Sequence, residues 1–102
     1  MGRIIEQGRI IKVEGIKDPV LVVSDDVYNK CGHVLVCPII ANRNLENAIN
    51  IPVHTKDIDG LILCDQIRNL NISNRPFQVR SMISIDERML ISDVIQGLLE
   101  YI

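Results

Sequence analysis

The chain has 102 residues, 47% of them apolar and 24% charged, with a net charge of −2 at neutral pH. That is one domain's worth of chain, able to bury one core and too apolar for the disordered class. The small charge excludes a strong overall field toward nucleic acid or anionic membrane, so RNA binding here needs a local basic patch.

Gly8 to Val13 reads as a short strand, after which Glu14-Gly15 turns the chain. Pro19 to Ser24, P-V-L-V-V-S, is a continuous apolar run of strand length, the pattern of a central strand buried on both faces. Asp25 to Gly32 is polar and predicts a helical turn closed by glycine. His33 to Ile40 is a second apolar strand. Pro38 within it cannot donate to a ladder, which predicts a bulge or an edge there. Asn42 to Asn47 reads as an exposed loop, and Ile49 to His54, broken by Pro52, as an edge strand. Asp57 to Gly60, D-I-D-G, predicts a turn. Leu61 to Cys64 is strand, Asn69 to Pro76 a polar loop around Ile72, and Phe77 to Ile83 a further short strand.

The last segment has the clearest pattern. Ser84-Ile85-Asp86-Glu87 fits a capping box, with the Ser hydroxyl for the first free amides and the Glu reaching back. Ile91, Val94, Ile95, Leu98 and Ile102 then recur at three- and four-residue steps, one face of a helix. Gly97 weakens that helix by about 1 kcal/mol relative to Ala. The expected fold is α+β and mainly β: a single domain over residues 1–102, a small antiparallel barrel with the C-terminal helix closing one end.

Aromatic residues are only Tyr28, Phe77 and Tyr101, so the core must be aliphatic. A thin core of this kind gains stability by burying further apolar surface between subunits, which predicts a homodimer. Cys31, Cys37 and Cys64 are odd in number and lack a C-x-x-C spacing. They read as small hydrophobes in a reducing compartment, neither a disulfide framework nor a zinc site. Met1 to Gly8 alternates too quickly for a signal peptide, and no apolar run approaches the ~20 residues of a membrane span. The expected location is the cytoplasm, with no membrane partner.

No P-loop, dinucleotide fingerprint, H-E-x-x-H or paired C-x-x-C is present. His33 and His54 lie beside strands. His54, at a strand end before Thr55, reads either as a general base or as an ordinary surface histidine. Ser24 reads as a turn or cap residue before Asp25-Asp26. Asp57, Asp59 and Asp65 are spaced for turn chemistry rather than for a cation, so no metal is expected. Arg43, Lys56, Arg68, Arg75 and Arg80 fall in predicted loops or at strand ends, among Asn42, Asn44, Asn47, Asn69, Asn71 and Asn74. That donor-rich set suits phosphates and single-stranded bases, and it equally suits an ordinary soluble surface.

Three blocks carry a resemblance. P-V-L-V-V-S-D-D-V-Y-N (Pro19 to Asn29) looks like R-P-x-L-V-V-S-x-D-x-x-N. G-x-x-L-V-x-P (Gly32 to Pro38) runs into a polar loop. D-G-L-I-L-C-D-Q-I-R-N-L (Asp59 to Leu70) looks like D-x-V-x-L-x-D-Q-I-R-x-I. By these blocks the segment from Pro19 to about Asn71 resembles the MazF/PemK family of toxins, relatives of CcdB and Kid. The resemblance implies an SH3-like barrel, a homodimer, and a cytoplasmic toxin that cuts single-stranded RNA without metal or other cofactor. It also implies a cognate antitoxin whose tail lies across the RNA groove.

In that family an Arg before the strand's Pro and a Thr after the third strand act on the scissile phosphate, and the RNA's own 2′-hydroxyl is the nucleophile. Here those positions hold Asp18 and Ile40, a negative charge and a hydrocarbon. The family's opening G-D-[IV] reads Gly8-Arg9-Ile10, and its first long loop is cut to roughly Glu14 to Lys17. If the chain cuts RNA, Lys17, Arg9 or Arg43 would supply positive charge and His33 or His54 the acid–base function. Arg9, Lys17, Asn42, Arg43 and Arg68 are the expected nucleic-acid contacts. Two functions therefore stand open. One is a toxin that binds RNA and cleaves it without metal from an atypical or degenerate site. The other is an inactive MazF/CcdB-fold module that acts by binding protein or nucleic acid.

Overall fold

The computed structural model describes residues 5–41 and 43–99, so the expectations placed on Asn42 and Ile102 lie outside the described residues. Its strands are β1 (Arg9–Val13), β2 (Val20–Val22), β3 (His33–Ile40), β4 (Asn50–His54), β5 (Asp59–Leu63), β6 (Arg68–Asn71) and β7 (Phe77–Met82). Helix α1 (Asp26–Asn29) precedes β3, a 3-10 turn spans Arg43–Leu45, and α2 (Ile85–Leu99) ends the description. The sheet order is β4-β5-β3-β2-β1-β7, with β6 also pairing with β3, and every pairing is antiparallel. The sheet curls into a half-barrel that carries the C-terminal helix.

The central strands are apolar throughout because each of their faces meets a core. Ile10, Leu21, Cys37 and Ile39 join Ile51, Val53 and Ile62 of the β4–β5 hairpin and Ile91 of α2. Ile11, Val20, Val22, Val34 and Val36 face the other way, with Val13, Leu70, Ile72 and Ile5. Neighbours in sequence thus alternate between cores, as the pleat requires. The run Val20–Val22 is buried at all three positions.

Helix α2 starts with the reciprocal cap read from the sequence. The Glu87 amide donates to Ser84 Oγ at 3.1 Å, and the Ser84 amide donates to Glu87 Oε1 at 2.9 Å. Ile91 is buried, and Val94 and Ile95 pack half-buried on the same core, whereas Leu98 is 38% exposed. Packing is therefore concentrated between Ile91 and Ile95.

Three local expectations are corrected. Asn69 to Pro76 is not all loop. Arg68–Asn71 forms β6, because its one inward residue, Leu70, pairs with Val34 and enters the second core. The predicted turn at Asp57–Gly60 sits earlier, since Asp59 and Gly60 already belong to β5 and pair with His54 and Val53. Pro38 is neither at an edge nor in a bulge. It pairs with Val20 in a central strand whose other neighbour changes from β6, last paired at Val36, to β5, first paired at Ile39. The flanking Leu35 carbonyl and Ile39 amide bond toward β2, so the missing Pro38 amide faces the seam between β6 and β5.

Candidate functional site

The β2–β3 register brings together the two positions that the resemblance singles out. Val20 pairs with Pro38, and the Ile39 amide donates to the Pro19 carbonyl at 2.9 Å. Carried two residues on, that register sets Asp18 opposite Ile40. Both are half-buried. A carboxylate and a hydrocarbon offer no donor to a phosphate oxygen. The short β1–β2 connection is tied down beside them. Lys12 Nζ donates to the carbonyls of Ile16 and Lys17, the latter at 2.7 Å, while the Lys17 side chain itself is exposed.

The same end of the sheet continues across β5 to β4. Ile40 pairs with Leu61, Leu61 with Pro52, and two residues further out Asp59 pairs with His54. The His54 side chain is 78% exposed, with Nδ1 at 3.6 Å from Asp59 Oδ1, too long for a hydrogen bond. Its backbone amide donates to Glu87 Oε2 at 3.0 Å, which fastens the end of β4 to the start of α2.

Strands β4 and β7 are the two edges of the curled sheet, and side chains bridge them. Thr55 Oγ1 and Ser81 Oγ are 2.7 Å apart, Thr55 Oγ1 donates to Asp57 Oδ1 at 3.0 Å, and Ser81 Oγ also donates to Asp57. Around this bridge opens a cleft of about 660 Å³ lined by Arg9, His54, Lys56, Arg80, Ser81 and Glu87 among others. Hydrogen bonding to Ser81 holds the Asp57 carboxyl below its ordinary value, with Thr55 and the Arg80 charge adding to the effect. Partial burial pushes Glu87 up, but hydrogen bonds from Ser84 and His54 outweigh it and leave Glu87 lowered. Both carboxylates are thus committed to holding the cleft in shape.

The two histidines are separated by the fold. His33 opens β3 at the end opposite Ile40, roughly 23 Å away along a strand rising about 3.3 Å per residue. Its Nδ1 is 2.9 Å from Asn69 Oδ1, and Asn69 Nδ2 donates to the Tyr28 hydroxyl at 2.6 Å. Arg68 is exposed on β6 opposite Val36, midway along β3. Arg9 lines the cleft but is occupied, with Nη2 at 2.8 Å from Glu6 Oε1 and Nη1 donating to the Arg80 carbonyl at 3.1 Å. Arg43 begins the 3-10 turn that follows β3. Of the expected residues, then, Lys17, Asp18, Ile40 and His54 share one end of the sheet, His33 stands at the other, and Arg68 lies between them.

Ser24 proves to be a buried joint rather than a simple cap. It accepts from the Leu35 amide at 3.0 Å and bonds to Asn29 Oδ1, and Asn29 Nδ2 donates to the Ile5 carbonyl at 2.5 Å. Cys31 is exposed, while Cys37 and Cys64 are buried. Burial pushes Cys37 up to about 12 and Cys64 up to about 11, so both are neutral packing groups. Among the described residues no three His, Cys, Asp or Glu side chains converge as a metal site needs, and no helix is long and apolar enough to cross a membrane.

Sequence reasoning placed Arg80 only in the general basic set and read Glu87 only as a cap. Their partners lie far away in the chain, Arg9 being 71 residues from Arg80 and His54 33 residues from Glu87. No local pattern announces such contacts.

A family described as PemK-like, MazF-like toxins of type II toxin–antitoxin systems matches residues 9–100. No curated protein sequence matches the chain. Among solved structures, a MazE–MazF complex from Deinococcus radiodurans superposes with a TM-score of 0.86 at 19% identity, covering 97% of this chain and 99% of that one. An endoribonuclease from a mycobacterial species gives 0.82 at 15% identity, covering 96% and 93%. A mycobacterial endoribonuclease in complex with its cognate antitoxin gives 0.80 at 16% identity, covering 95% and 96%. These likenesses show a shared fold.

Proposed function

This chain belongs to the PemK-like, MazF-like toxins of type II toxin–antitoxin systems, and from that premise we propose that it is the toxin of such a pair, a homodimeric endoribonuclease that cuts single-stranded RNA in the cytoplasm without metal. The observation that carries the reading is the family match over residues 9–100, nearly the whole chain. The fold shared with an endoribonuclease bound to its cognate antitoxin supports it, and supports an antitoxin as partner.

The chemistry asked of the protein is modest. A 2′-hydroxyl already sits beside its phosphate, so the protein must hold the strand, stabilise charge on the phosphate and move a proton. Bulk charge does not draw RNA to a chain of net charge −2. Local cations must do so, and Lys17 beside Asp18, together with Arg43 after β3, stands at the end where the family acts. Arg9, Asn42 and Arg68 complete the proposed RNA contacts.

Inducible expression in a bacterial host tests the reading. Growth should arrest within a few doublings, transcripts should acquire internal breaks, and co-expression of the small protein encoded next to this gene should relieve both. Arrest without RNA breaks would contradict the nuclease reading and favour a module that acts by binding.

A further inference from the structure

We infer that His54 is the proton-transfer group for RNA cleavage, acting in the cleft between β4 and β7 with Arg80 as the cation that meets the phosphate, in place of the Asp18 and Ile40 pair. The inference rests on the endoribonuclease reading above and names the residues that perform it.

The structure separates the candidates. His33 stands at the far end of β3 with Nδ1 on Asn69. His54 stands at the Ile40 end, on the row beyond Pro52, Leu61 and Ile40, with 78% of its side chain exposed. Asp59 lies 3.6 Å from Nδ1, close enough to bias the orientation of the ring. That leaves Nε2 as the nitrogen to meet a substrate. The strand end that carries His54 is itself held: Glu87 accepts the His54 amide at 3.0 Å, so Glu87 is a positioning residue.

The cations around the cleft are not equivalent. Arg9 is taken up by Glu6 and the Arg80 carbonyl. The Arg80 guanidinium is exposed and bonds through Nη2 to Gln78 Oε1 at 3.1 Å, one of five donors it has to offer. Its planar fork suits two phosphate oxygens at once. Lys56, also exposed at the cleft, adds a second positive charge.

The step balances without a co-reactant. His54 Nε2 takes the proton of a 2′-hydroxyl, and that oxygen forms a bond to the adjacent phosphorus. The bond from phosphorus to the 5′-oxygen breaks, and the leaving oxygen takes a proton from solvent. The products are a 2′,3′-cyclic phosphate and a 5′-hydroxyl, and the imidazolium returns its proton to water. The charged groups around the ring are Asp59 on β5, Lys56 and Asp57 in the hairpin turn, Arg9 on β1, Arg80 on β7 and Glu87 on α2.

The test uses the whole chain, a long single-stranded RNA and EDTA, with rates measured across pH for wild type, His54→Ala, Arg80→Ala and Arg80→Lys. His54→Ala should lose about 10²- to 10⁴-fold in rate, change the shape of the pH profile, and keep its unfolding temperature. Added imidazole should restore part of the rate. Arg80→Ala should slow cleavage, with Arg80→Lys recovering part of it. If wild type cleaves and His54→Ala cleaves equally well with an unchanged profile, the inference is wrong and the endoribonuclease reading stands. If wild type does not cleave at all, the reading itself falls and takes the inference with it.

Discussion

A Cβ on Gly60 would stand 2.4 Å from the carbonyl oxygen of Ile40 and 3.0 Å from Ile39 Cγ2. Strand β5 therefore passes so close to Ile40 of β3 that only glycine fits at position 60. Gly60→Ala should cost about 1–3 kcal/mol through overpacking against backbone. In a domain of this size each 1 kcal/mol lowers Tm by roughly 4–8 °C. Thermal unfolding checks it, and an unchanged Tm would show that the strands have room to part.

Ser24 links three segments from within the protein, with 7% of its surface exposed. Ser24→Ala removes the acceptor of the Leu35 amide and the partner of Asn29 Oδ1. Leaving buried polar groups without partners should cost about 1–3 kcal/mol. A urea titration should show a lower midpoint with the slope unchanged. A loss near zero would mean that another group replaces the hydroxyl.

Acid should loosen the closure between β4, β7 and α2. Asp57 and Glu87 both have lowered folded values, so the unfolded chain binds protons first as pH falls. Their contribution is fully present above the ordinary values of 3.8 and 4.5 and is lost as pH drops through the lowered folded ones. Glu87→Gln should flatten that part of the stability profile, measured by urea unfolding between neutral pH and pH 3. A variant profile parallel to wild type would remove Glu87 from the account.

Much of this fold was legible along the chain. Strand β2 announced itself because Val20, Leu21 and Val22 are each buried, and α2 because Ser84 and Glu87 cap each other before a helical apolar period. Strand β6 stayed hidden. In Arg68–Asn71 only Leu70 is buried, and the strand exists because β3 is there to pair with it. Asp18 and Ile40 could be singled out from the resemblance, since both positions border recognisable blocks. The cleft could not. Thr55, Ser81, Asp57 and Glu87 come together only once the sheet has curled and brought its two edges face to face.

Restoring the family pair tests how far the scaffold has kept its original site. Asp18→Arg with Ile40→Thr should raise RNA cleavage, or growth arrest on expression, above the wild-type level. The gain should be partial, because Lys12 ties the Ile16 and Lys17 carbonyls and limits how far the backbone at the substituted Asp18 position can move. No gain, from a protein that folds normally, would mean that this end of the sheet no longer receives RNA.

The most direct measurement is also the simplest: the purified chain incubated with a long single-stranded RNA in excess EDTA, with the new ends identified. The account predicts internal cleavage that EDTA does not prevent, leaving 2′,3′-cyclic phosphate and 5′-hydroxyl ends. Intact RNA after prolonged incubation with folded protein, or cleavage that EDTA abolishes, would contradict it.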